Sequence, residues 1–119
     1  MLMEMSLIKP DVLIRKFYSL SVLAHIEHVN TKVGFHHEAL GEFYEQVNDV
    51  KDRIAEYLIG DQQLSRVNVP MLEIGTDIKA EAYSAAEMLC SFSDDEAIEN
   101  IAGEFKEHVA KLKYKLSMS

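Results

Sequence analysis

An all-α fold, a single four-helix bundle, is predicted by three features of the sequence. Five glycines, two prolines and no tryptophan stand among 119 residues, and Leu, Ala, Glu and Lys, which favour helices, are common. Apolar residues recur in steps of three and four, with no run of strict alternation that would mark a strand. One segment, residues 61–75, has no helical period; a long connection between the second and third of four amphipathic segments lets those two helices run parallel in a bundle. With 48% hydrophobic residues, a chain of this length supplies one core and forms one domain over residues 1–119.

The first helix is predicted from Pro10, whose fixed φ suits a first helical position, to about Asn30, with Leu13, Phe17, Leu20, Ala24 and Val29 on one face. After a break at residues 31–34, residues 35–59 place His36, Leu40, Phe43, Val47, Val50, Ile54 and Tyr57 in alternating steps of four and three. Gly60 is a natural C-cap for this second helix. Within the connection, Val67, Asn68, Val69 and Pro70 interrupt any helix. Thr76 is then positioned to cap a short third helix carrying Ile78, Ala82, Ala85 and Leu89 and ending near Phe92. Ser93 and Glu96 have capping-box spacing ahead of a fourth helix with Ile98, Ala102, Phe105, Val109, Leu112 and Leu116 in register.

Charge and cysteine content narrow the functional classes. Twelve basic against twenty acidic residues give a net charge of −8, a field that repels a phosphate backbone and argues against nucleic-acid binding. Lys111, Lys113 and Lys115 form the one basic cluster, and they occupy the last turns of a helix that begins with Asp94, Asp95 and Glu96, the placement that suits the helix dipole. The single cysteine, Cys90, excludes an internal disulfide; its neighbours Ala85, Ala86, Leu89 and Phe92 predict a small core or interface residue. No apolar stretch approaches the roughly 18 residues of a membrane span, and residues 1–9 carry Glu4 without a basic leader, which together predict a cytoplasmic protein with no membrane partner.

No phosphate loop, CxxC pair, HExxH or nucleophile elbow is present. The histidines are more informative: His25, His28, His36 and His37 cluster around the turn between the first two helices. On a wheel of the second helix at about 100° per residue, the core stripe lies between about 220° and 300°, whereas His37, Asp52 and Glu56 fall at about 0°, 60° and 100°. His37 and Asp52 are separated by about 22 Å along the axis, so one chain cannot bring both to one metal ion. Two copies of this helix approaching antiparallel about a two-fold axis would set His37 and His25 of one chain against Asp52 and Glu56 of the other, at two equivalent sites.

Residues 24–60 resemble the metal-site region of the miniferritins, the Dps-type DNA-protecting ferritins, and of small ferritin-like proteins of tailed phages. In that family a histidine late in the first helix is followed twelve residues on by a second, then fifteen on by Asp and four on by Glu, and His25, His37, Asp52 and Glu56 reproduce those spacings. The resemblance implies an intersubunit centre that binds Fe(II) through imidazole and carboxylate and passes electrons to peroxide or oxygen. It also implies a homodimer through the second helix, or a higher oligomer, in a bacterial or phage-infected cytoplasm. The family's acid four residues after the second histidine is replaced by Gly41, for which Glu45 is the nearest substitute on the wheel; Ile26 stands where a tryptophan is frequent; and His28, in a shifted register, competes with His25 as the first ligand.

Plainer readings stand beside these. His36 lies on the core stripe and is expected to pack against the loop between the first two helices; Glu38, Glu42 and Asp49 are expected to be solvated. Asp52 and Glu56 fit local ion pairing, Glu56 with Arg53 for example, and Glu104 with His108 fits a surface pair. With Gly41 in a ligand position, the alternative to an iron protein is a non-catalytic, oligomeric interaction protein, in which ferroxidase activity is weak or absent.

Overall fold

The computed structural model describes residues 8–118, and the N-terminal residues on which the expectation about a leader rests lie partly outside them. Four helices are present in the order α1 (Pro10–Asn30), α2 (Gly34–Gly60), α3 (Ile78–Phe92) and α4 (Glu96–Leu116), with no strand among the described residues. Among the described residues no helix is long and apolar enough to cross a membrane.

The starts of α3 and α4 are set by aspartates. Asp77, not Thr76, caps α3, its carboxylate accepting from the Lys79 and Ala80 amides. Asp95 caps α4 by accepting from the Ala97 amide, while Ser93 turns the preceding loop by accepting from the Asp95 amide. The Ser93–Glu96 capping box therefore does not form: Glu96 is already the first helical residue, too early to reach back. Each aspartate satisfies otherwise orphaned amides, so Asp77→Ala and Asp95→Ala are each expected to lower the unfolding free energy by about 1 kcal/mol in urea melts.

At the other end of α2 the helix continues through Gly60, with Asp61 in the cap position. The left-handed conformation expected near a helix end falls on Gln62 (φ 63°), and no glycine has positive φ. Gln63 and Leu64 amides both return to the Leu58 carbonyl, closing the α2 terminus. Residues 61–77 then run without helix to α3.

Packing follows the apolar registers. α1 packs on α2 and α3, α4 packs on the same two, and the pairs α1/α4 and α2/α3 are diagonal. Contacts fix the directions. Lys115 meets Glu42 while Arg53 meets Glu104, so α2 and α4 are antiparallel. Lys113 lies over the Tyr83 ring, and Cys90 and Lys106 line the same groove, so α3 and α4 are antiparallel as well. Both α2 and α3 thus run against α4, parallel to each other across the diagonal. Phe17, Phe43 and Phe105, each at most 1% exposed, fill the centre.

Three side chains depart from their expected places. Val29 is 59% exposed and belongs to the outer side of α1. There it continues a stripe with Val22 and Ile26, at 38% and 39% exposure, so α1 is apolar on two sides. His36 reaches further than a local reading foresees: its Nε2–H donates to the Met118 carbonyl at 2.6 Å, tying the start of α2 to the end of the described chain. Cys90 is exposed, which excludes the core half of its expected role and leaves the interface half open; it sits at the edge of the shallow α3–α4 groove of about 260 Å³ formed with Tyr83, Ala86, Lys106 and Val109. Its thiol is expected to react with one equivalent of a disulfide reagent in native buffer, as fast as in urea within about tenfold, read by thiol absorbance.

Candidate metal site

The α1–α2 hairpin positions every residue that the sequence nominated. Its register pairs residues equidistant from the turn. Tyr18 meets Lys51, whose ammonium sits 4.6 Å from the ring centroid; Ser21 Oγ donates to Asn48 Oδ1 at 2.6 Å; and the His25 ring lies 4.9 Å from the Tyr44 ring. One turn further on, His28 lies over Gly41. That register could have been read from the sequence once the turn was located, and it would have shown which histidine reaches the start of α2.

His28, not His25, meets His37. The two rings stack with centroids 4.1 Å apart and planes 25° from parallel, and His28 Nδ1–H donates to the His37 carbonyl at 2.9 Å. The space for His28 comes from Gly41: a Cβ built there would lie 2.7 Å from His28 Cε1 and 3.0 Å from Nδ1. A position that reads in sequence as a lost ligand is therefore filled by an imidazole from the neighbouring helix. His25 is exposed and rests on Tyr44.

Asp52 and Glu56 are exposed, and neither makes a hydrogen bond or ion pair with another described residue; the same holds for Glu45. The expected Glu56–Arg53 pair is absent because Arg53 turns the other way, to Glu104 at 2.6 Å and Asp49 at 3.4 Å. Those carboxylates hold the Arg53 pKa above its ordinary value, the Glu104 bond being the largest cause. Glu104 also lies 3.8 Å from His108 Nε2, and His108 Nδ1 is buried without a partner. Asp49 and Glu42 likewise serve the α2–α4 seam.

Glu42 accepts from Lys115 at 2.7 Å, and that bond holds its pKa below the ordinary glutamate value. A depressed folded pKa contributes stability that is present above the unfolded value and lost as pH falls through the folded one. Lys115→Met should therefore raise the Glu42 pKa toward its ordinary value in a carboxyl NMR titration and flatten the acid limb of the stability curve slightly, since the pair is more than half exposed on the Glu42 side.

Among the described residues no group of three or more His, Cys, Asp or Glu side chains is gathered closely enough to hold a metal ion. One chain presents a two-imidazole pair at the start of α2 and an acid pair near its end, about 22 Å apart along the helix by residue rise. A single chain does not fit an iron centre that needs carboxylate beside imidazole; two chains with their α2 helices antiparallel would supply both. The outer side of this hairpin also carries the Val22, Ile26 and Val29 stripe, followed by Val33 at 50% exposure.

No protein-family model, curated protein or solved structure matches the chain.

Proposed function

We propose that this chain is a ferritin-like, miniferritin-type bundle that binds iron between two copies of itself, in the cytoplasm of a cell or of a phage-infected host. The imidazoles come from one copy, His37 with His28 or His25, and the acids Asp52 and Glu56 from the other. The observation that carries this reading is that His25, His37, Asp52 and Glu56 are exposed on one helix pair at spacings that match the miniferritin ligand pattern, with Asp52 and Glu56 making no side-chain hydrogen bond or ion pair among the described residues. Parallel α2 and α3 joined by residues 61–77 support the ferritin-like part. Apolar residues beside the ligands favour a homodimer formed through α1 and α2. The net charge of −8 disfavours nucleic acid as a partner.

Fe(II) is the substrate in this reading and peroxide the acceptor of its electrons. The test is an anaerobic Fe(II) titration followed by peroxide, with Fe(III) read by absorbance. Wild type should bind Fe(II) and oxidise it on peroxide addition, and Asp52→Ala/Glu56→Ala should lose saturable binding. Indistinguishable titrations would refute the assignment.

The His28 ring on Gly41 favours a second reading, in which the bundle and its self-association persist without turnover because an acid ligand has been replaced. That reading predicts oligomers of unchanged mass after chelation. Dissociation on metal removal would contradict it.

A further inference from the structure

The His28–His37 pair, one of the two imidazole sets open to the proposed iron site, is assembled wholly within one chain. A carbonyl oxygen only accepts, so the His28 bond to the His37 carbonyl requires the proton on Nδ1, and the neutral ring keeps its lone pair on Nε2. A ring N–H anchored to a backbone carbonyl, with the opposite nitrogen bare, is the arrangement that orients metal-ligating histidines. The ring is seated on the face of Gly41, where any side chain would displace it. His37 is exposed, and its ring makes no hydrogen bond to another described residue.

We propose that His28 and His37 form, within one chain, a two-imidazole half-site for a nitrogen-preferring divalent cation of the zinc type, and that Gly41 is the residue that admits His28 to it. The rings lie face to face with centroids 4.1 Å apart, so the two imidazoles are neighbours and one must leave the stack to share a cation with the other. Rotation of the exposed His37 ring about its Cβ–Cγ bond turns one nitrogen toward the point faced by His28 Nε2, and water completes a tetrahedral shell. Two neutral nitrogens without a carboxylate suit zinc, copper or nickel better than harder cations. The half-site shares His37 with the proposed iron site, and His28 as well where that ring is its second imidazole, but needs neither a second chain nor Asp52 and Glu56, so either proposal can fail alone.

The probe is zinc chloride, titrated calorimetrically into the full chain with imidazole NMR in parallel. The expected result is about one zinc ion per chain, with the His28 and His37 signals moving together while those of His25 and His108 stay in place. His28→Ala and Gly41→Ala should each weaken binding at least tenfold with helix content retained by circular dichroism, and Asp52→Ala/Glu56→Ala should stay within about twofold of wild type. The half-site is overturned by absence of binding at millimolar zinc, or by wild-type affinity in His28→Ala. Wild-type affinity in Gly41→Ala overturns the role of the glycine. Loss of zinc binding in the Asp52, Glu56 variant overturns the single-chain site and moves the ion to the shared one.

Discussion

Phe105→Ala is expected to lower the unfolding free energy by about 3–5 kcal/mol, a large part of the 5–15 kcal/mol available to a domain of ordinary stability. Phe105 is 0% exposed, meets Phe17 edge-on at 5.1 Å between centroids, and stacks on Phe43 at 6.0 Å. Its contact with Phe17 joins α4 to α1, the helices that face each other across the diagonal and do not pack as neighbours. Truncation leaves a cavity where three helices meet, and neither backbone pair can close it by sliding along its neighbour. Urea melts should show the full effect, whereas Leu116→Ala, half-buried near the end of α4, should cost well under half as much.

The other large effect concerns metal. His37→Ala is expected to reduce Fe(II) affinity by roughly two orders of magnitude, at least the loss seen when a supporting residue of a metal ligand is removed. His25→Ala is expected to change it by less than about threefold, because the His25 ring lies on Tyr44 while His28 takes the place beside His37. Equal losses in the two variants would return His25 to the ligand set. His28→Ala should track His37→Ala, and parallel Fe(II) titrations of the three variants check all of these outcomes.

The helices of the bundle were legible because their apolar residues keep an unbroken register: Leu40, Phe43, Val47, Val50 and Ile54 in α2, and Ile98, Ala102, Phe105, Val109 and Leu112 in α4, are all buried. The caps of α3 and α4 were less legible, because each of these starts offers several cap formers in a row. Thr76 precedes Asp77, and Ser93 precedes two aspartates, and the amides left over by the packed helix decide which one accepts. Val29 was misplaced because α1 is apolar on two sides, and a single-stripe reading assigns the surplus to the core. Cys90 has buried neighbours at Ala86 and Leu89, yet its own position on the helix turns it outward.

At the candidate site, residue types and faces could be read from the sequence, and contacts could not. The wheel put His37, Asp52 and Glu56 away from the core, and all three are exposed. The role of Gly41 was hidden, because its meaning lies in a contact with His28 on another helix and not in its spacing from His37. The His36 bond to the Met118 carbonyl was beyond any local pattern, since it joins positions 82 residues apart.

The claim at the centre of this account, that imidazoles of one chain and acids of another share a cation, is tested most directly by complementation. Chains carrying His37→Ala and chains carrying Asp52→Ala/Glu56→Ala are unfolded together, refolded as a mixture, and titrated with Fe(II). Each variant alone should lack tight sites. Random pairing makes half of the dimers mixed, each with one intact site of two, so the mixture should regain about one quarter of the wild-type sites. A mixture that dimerises and remains as empty as its parents would contradict the shared site.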